Sequence, residues 1–308
     1  MKKNILTIIV LMFVFSVLGC AAEKSKEITD RAGRAVVVKG AINRVVSTAP
    51  SNTEIIADLG QAHKLVAIDR HSANVAGIPA GLVQLDFFYP DAEVIVNLEP
   101  DIIIASGHNP TGTGEDPFRL LREMGIPVAY IPMSKSIDDI YQDVAFIAEL
   151  LRAGKEGEAL INATKAQVAE VVQIVMQNVT QNVIQKRTVY FELSAAPDMM
   201  SFGKDSFIDD MISTIGAVNI FGNEDWLVMP SAEAVITRNP DVILTNVNYI
   251  DDPVGEIKNR PGFDHINAVK NNRIYQIDTD SSSRPSPRIV LALRQMARAV
   301  YGEHYEQP

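Results

Sequence analysis

Ala92-Glu93-Val94-Ile95 through Glu99-Pro100-Asp101-Ile102-Ile103 returns 140 residues later as Ala232-Glu233-Ala234-Val235-Ile236 through Asn239-Pro240-Asp241-Val242-Ile243. In both copies a glutamate stands seven residues before a Pro-Asp pair that opens an apolar run. Proline lacks an N–H and clashes with the preceding turn, so each copy reads as a helix that ends and gives way to a strand. A phrase repeated at one fixed spacing predicts two related lobes.

The same theme extends outward from both copies. Arg44-Val45-Val46-Ser47, Leu65-Val66-Ala67-Ile68 and Val128-Ala129-Tyr130-Ile131 flank the first, and Val189-Tyr190-Phe191-Glu192-Leu193 and Arg273-Ile274-Tyr275-Gln276-Ile277 flank the second. Short continuous apolar runs, separated by helical segments, predict parallel strands covered on both faces. Between the halves, residues 155–181 carry Val168, Val171, Val172, Val175 and Val179 along one helical stripe. The expected fold is α/β, with two Rossmann-like lobes of parallel-rich sheet joined by a single long helix. The expected boundaries are a first lobe over 28–153, the helix over 154–184 and a second lobe over 185–308.

The N-terminus reads differently. Met1-Lys2-Lys3 precedes an apolar run that ends at Leu18-Gly19-Cys20, and Cys20 is the only cysteine in 308 residues. Two positive charges, a signal-length apolar stretch and a small residue before Cys20 predict a secretory signal over 1–19. The stretch is short of the roughly 20 residues that cross a bilayer. Cys20 resembles a bacterial lipobox cysteine, which implies lipidation, with residues 20–27 as a flexible tether. A lone cysteine excludes an intramolecular disulfide, so the core alone must hold an exported fold. The formal charge of −10 becomes −12 once Lys2 and Lys3 are removed, and no basic block occurs. Nucleic acid and anionic lipid surfaces are therefore poor partners.

Six stretches in order carry a family resemblance. They are Ala49-Pro50-Ser51-Asn52-Thr53-Glu54-Ile55, the two repeats above, Ser201-Phe202-Gly203-Lys204-Asp205-Ser206-Phe207, Gly216-Ala217-Val218-Asn219-Ile220-Phe221 and Arg284-Pro285-Ser286-Pro287-Arg288. Together they resemble the substrate-binding proteins of ABC importers for iron complexes, haem and cobalamin, over nearly the whole mature chain. The resemblance implies the class III periplasmic-binding-protein fold, two lobes on one backbone helix. It implies an extracytoplasmic monomer that delivers its ligand to a permease dimer with ATPase subunits. It also implies that Glu93 and Glu233 are surface carboxylates that pair with permease arginines. Two separated charges of this kind set orientation more than affinity.

Ligands of open α/β sheets bind at the carboxyl ends of the strands. In the first half this points to Ser51, Asn52, Arg70, His71, Phe87, Phe88, Tyr89 and His108, and in the second to Met200, Phe202, Trp226, Tyr249, Asp280 and Arg284. Aromatics are 6% of the chain, yet several fall on these loops. Flat apolar walls suit a large rigid chelate such as a ferric siderophore, which is the leading expectation. The resemblance also aligns Trp226, Asp280 and Arg284 with residues of cobalamin binders. Arg70, Lys204, Arg284 and Arg288 are candidates to pair with an anionic siderophore or haem propionates. His71, His108, Tyr89 and Met200 are eligible as axial haem ligands.

Other classes are poorly supported. The five histidines, at positions 63, 71, 108, 265 and 304, share no metal-ligand spacing. The nearest phosphate-loop string, Gly112-Thr113-Gly114-Glu115-Asp116-Pro117, lacks the third glycine of a dinucleotide fingerprint. No nucleophile elbow or Walker loop occurs. A binding protein without a cofactor of its own is expected, and an enzyme is not.

Overall fold

The computed structural model describes residues 25–109, 116–181, 186–302 and 305. Cys20, the signal and the first part of the tether lie outside them. The chain opens with an antiparallel hairpin, β1 (Ser25–Thr29) and β2 (Ala35–Lys39). Ser25, Lys26 and Glu27 therefore belong to a strand and not to the tether expected over 20–27. Their pairing with alternating residues is the reason: Val36 and Val38 are buried while Val37 points outward.

The first lobe contains β3 (Val45–Ser47), β4 (Leu65–Asp69), β5 (Val83–Leu85), β6 (Ile102–Ser106) and β7 (Val128–Ile131). All pair in parallel in the order β5-β4-β3-β6-β7. Every residue of β3, β6 and β7 is buried, as continuous apolar strands require. The order reverses between β3 and β6, the place where doubly wound sheets open a crevice. Helix α1 (Pro50–Asp58) leaves β3, and α2 (Ala92–Asn97), α3 (Arg119–Glu123) and α4 (Ile137–Leu150) follow.

Helix α5 (Gly154–Gln181) runs between the sheets. It packs on α4 along its length, and Gly157 allows the closest approach: a Cβ there would meet the Ala148 Cβ at 2.4 Å. The second lobe holds β8 (Thr188–Glu192), β9 (Ser201–Phe202), β10 (Val218–Asn219), β11 (Leu227–Val228), β12 (Val242–Thr245) and β13 (Ile274–Gln276). Its main sheet is parallel in the order β10-β8-β12-β13, and β9 and β11 form a separate antiparallel pair. The helices are α6 (Phe207–Thr214), α7 (Ala232–Arg238), α8 (Pro253–Asn259), α9 (Asn267–Lys270), α10 (Thr279–Ser283) and α11 (Ile289–Tyr301).

Both repeat copies fold alike, with α2 leading into β6 and α7 into β12 across Pro100 and Pro240. The single long helix that joins the lobes is α5, and α4 packs beside it. Ile137 and Ile140 of α4 share a core with Val171, Ile174 and Val175 of α5 and with α6 and α11, whereas Val144 and Ile147 belong to the first lobe's core. The Ile137 amide also donates to Asp210 Oδ2 of α6 at 2.8 Å. Helices α4 and α5 thus form a two-helix spine, each with one end in each lobe.

Candidate functional site

A cleft of about 380 Å3 opens at the carboxyl ends of both parallel sheets. The first lobe lines it with Ala49, Pro50, Ser51, His71, Phe87 and His108, from the loops after β3, β4, β5 and β6. The second lobe lines it with Asn248, Thr279, Asp280, Ser283, Arg284 and Pro285, from the loops after β12 and β13.

Buried polar groups hold the first wall. Asn109, 3% exposed, accepts from the Ser106 amide and Thr48 Oγ1 and donates to the Phe87 carbonyl at 2.7 Å. One amide side chain therefore ties the loops after β3, β5 and β6 together. Phe87 stands edge-on to His71 at 5.6 Å between ring centres and lies 5.5 Å from His108. Burial holds the His108 imidazole below its ordinary pKa, and its Nδ1 lies 2.9 Å from Ser106 Oγ. Burial also pushes the Asp69 carboxyl up, against hydrogen bonds from Ser72 and the His71 amide. The cleft wall is thus an aromatic ring flanked by imidazoles, with hydroxyls from Ser51, Thr279 and Ser283 around it.

Arg284 closes the back of the cleft across the two lobes. It is buried, and its guanidinium reaches Glu54 Oε1 at 2.9 Å, the His71 carbonyl at 3.0 Å, Asn74 Oδ1 at 2.9 Å and Asp280 Oδ1 at 2.8 Å. Glu54, 1% exposed in the middle of α1, also accepts from Ser286 Oγ at 2.6 Å. Arg288 pairs with Asp58 at 3.1 Å, and Asn74 Nδ2 donates to Asp280 Oδ2 at 2.7 Å. A cluster of charged and polar groups therefore fastens α1 and the loop after β4 to α10 and the start of α11.

The sequence candidates divide accordingly. Ser51, His71, Phe87, His108, Asp280 and Arg284 come together in the cleft. Asn52 is buried within α1 with its amide nitrogen unpartnered. The four cations proposed to meet an anionic ligand are each paired with a protein carboxylate: Arg70 with Asp86, Lys204 with Asp225, Arg284 with Glu54 and Asp280, and Arg288 with Asp58. Phe88 and Tyr89 are 48% and 60% exposed and lie beyond Phe87. Met200 lines a separate cavity with Met199, Met229 and Pro197. Phe202 and Trp226 stack edge-on at 6.4 Å beside the β9–β11 pair. The Tyr249 hydroxyl is tied to the Ala195 amide at 2.8 Å. Glu93 and Glu233 sit exposed in the first turns of α2 and α7. Glu233 is held below its ordinary pKa by its own backbone amide and Ser231. Among the described residues no group of three or more His, Cys, Asp or Glu side chains could hold a metal ion.

Of the residues gathered here, sequence reading left out Glu54 and Thr279; Asn248 and Ser283 fall in the strand-end loops 246–249 and 280–284 that it marked, and Pro285 in the stretch that begins at Arg284. Glu54 had a visible signal, because it is an acid set between Thr53 and Ile55 in a stretch otherwise free of charge. Thr279 adjoins Asp280, which the strand-end rule had marked.

Comparison with known proteins follows the same lines. Residues 45–281 match the family described as periplasmic binding protein. The chain is 26% identical over 280 residues to an ABC transporter substrate-binding lipoprotein of Bacillus subtilis, YvrC, covering 91% of this chain and 87% of that one. It is 24% identical over 270 residues to a vitamin B12-binding protein of Vibrio parahaemolyticus, covering 86% and 90%. A solved structure of a possible iron-binding, periplasmic solute-binding protein from Staphylococcus epidermidis superposes with a TM-score of 0.73 at 32% identity, covering 84% and 99%.

Proposed function

This chain belongs to the periplasmic binding protein family and is the substrate-binding protein of an ABC importer; we propose that its ligand is an electrically neutral metal chelate, with a corrinoid first. The carrying observation is electrostatic. Among the described residues lining the cleft, Arg284 is the only side chain with a permanent positive charge, and its guanidinium is already committed to Glu54, Asp280, Asn74 and a carbonyl. A tris-anionic ferric catecholate or a haem dicarboxylate buried here would lack a free cation and would meet Asp280 at close range. A neutral ligand rich in amides suits the hydroxyls, Asn248 and the Phe87 wall. The vitamin B12-binding relatives support a corrinoid, and a neutral ferric hydroxamate is the second reading on the same electrostatic grounds.

A cleft of 380 Å3 is at the small end for organic ligands, which use about 300–1,000 Å3. A corrinoid would extend past it, so the Phe202–Trp226 pair is proposed as the second lobe's aromatic contact. The lobes, taken as 28–153 and 185–308, hold the ligand between them on the α4–α5 spine. The protein catalyses no reaction in this reading, works outside the cytoplasm as a monomer and is tethered by a lipid on Cys20. Glu93 and Glu233 dock it on the permease dimer. Recognition of a neutral ligand makes the dissociation constant nearly independent of ionic strength between 50 and 500 mM salt, roughly, because no pair of net charges is screened. A steep loss of affinity with salt would identify an anionic ligand instead. Labelling with a radioactive fatty acid, absent in Cys20→Ser, tests the anchor.

A further inference from the structure

The repeat that places Glu93 and Glu233 carries more than the two acids. In the same register stand Tyr89-Pro90-Asp91-Ala92-Glu93 and Met229-Pro230-Ser231-Ala232-Glu233. Asp91 and Ser231 both cap their helices, Asp91 accepting the Glu93 and Val94 amides and Ser231 the Ala234 amide. Four residues before each glutamate is a large apolar side chain left in the open, Tyr89 at 60% and Met229 at 73% exposure. Large apolar side chains this exposed cost free energy in water and mark contact surfaces when they recur at a defined place. Neither Glu93 nor Glu233 makes an ion pair among the described residues, so both charges are available to an outside partner.

The two apolar positions differ in stiffness. Asp86 accepts the Phe88 and Tyr89 amides at 2.9 and 2.8 Å and is itself held by Arg70, so Tyr89 rides on a pinned turn. Met229 instead borders a cavity of about 390 Å3 with Pro197, Met200 and Pro230. Behind that cavity the Met199 sulfur takes a contact from Arg260 at 3.0 Å, and Arg260 is locked to buried Glu192 at 2.7 Å. The cavity thus has a fixed back wall and an adaptable methionine rim.

We infer that each lobe docks through a two-part element, Tyr89 with Glu93 and Met229 with Glu233, onto one subunit of the permease dimer, which offers an apolar side chain beside a basic one. This rests on the docking role proposed for the glutamates and adds the apolar half. A twofold-symmetric partner presents the same side chain to both lobes; it lies against a rigid ring on one and enters the Met229 cavity on the other. The apolar half supplies affinity by desolvation, and the acidic half supplies orientation.

The test uses the full-length lipoprotein and its permease–ATPase complex in proteoliposomes, with docking measured by surface plasmon resonance at two salt concentrations. Tyr89→Ala and Met229→Ala are each expected to weaken docking about tenfold at both salts, with ligand affinity unchanged. Glu93→Ala with Glu233→Ala is expected to weaken docking mainly at low salt. Wild-type docking by the two apolar variants, with loss only in the glutamate variant, overturns the two-part element and leaves the glutamate reading standing. Wild-type docking by all variants overturns both. Loss of ligand affinity in Tyr89→Ala overturns the inference by returning Tyr89 to the cleft.

Discussion

Removing the Glu54 carboxylate should separate the lobes energetically before it touches any ligand contact. Glu54 is 1% exposed, accepts Arg284 Nη1 at 2.9 Å and Ser286 Oγ at 2.6 Å, and lies 3.9 Å from Arg288. Breaking a buried ion pair by deleting one partner costs about 3–5 kcal/mol. Arg284 keeps Asp280, the His71 carbonyl and Asn74, which places Glu54→Ala near the lower end, about 3 kcal/mol. At roughly 2–4 °C per kcal/mol for a chain somewhat smaller than this one, the melting temperature falls by about 6–12 °C. Glu54→Gln retains the shape and an acceptor for Ser286, so its cost is about 1.5–3 kcal/mol, the worth of a hydrogen bond to a charged group. Urea denaturation of wild type, Glu54→Gln, Arg284→Met and the double variant measures the coupling between the two side chains. A coupling above about 1 kcal/mol is expected, since residues in one buried network interact by 0.5–3 kcal/mol. Additivity within about 0.3 kcal/mol would refute the idea that this pair fastens the lobes.

Two other substitutions test the spine and the cleft. Gly157→Ala gains roughly 1 kcal/mol in helix propensity but drives a methyl into Ala148 at 2.4 Å; overpacking costs about 1–3 kcal/mol, so a net loss in urea midpoint is expected, and a gain would mean that α4 and α5 separate freely. His108 has a folded pKa below its ordinary 6.5. The unfolded chain therefore binds more protons than the folded one between those values, and stability falls as pH drops through that window. His108→Gln should flatten this acid limb below about pH 6.5, and an unchanged slope would place the titration elsewhere.

The central strands were legible because β3, β6, β8 and β12 are buried on both faces and so read as unbroken apolar runs. β5 was not, because Val83 and Gln84 of this three-residue edge strand are exposed and its sequence has no run. The two-residue strands β9 and β11 carry too little pattern to register. Helix α4 was not singled out in the sequence, and which lobe each of its ends joins depends on contacts with residues 73 positions away, such as Ile137 with Asp210. The cleft loops followed from the strand-end rule, whereas the state of their charges did not. Arg284 looked free for a ligand because its partner Glu54 lies 230 residues earlier. Tyr89 and Met200 looked like wall residues from their place on strand-end loops, but neither lines the cleft, and Met200 borders a separate cavity.

Calorimetric titration of the purified receptor with cyanocobalamin, a neutral ferric trihydroxamate, a ferric tris-catecholate and haemin tests the ligand assignment most directly. Saturable cyanocobalamin binding at about micromolar affinity or tighter is expected, weakened at least tenfold by Phe87→Ala, with no heat from the catecholate or haemin. Saturable binding of an anionic chelate, with cyanocobalamin silent, would contradict it.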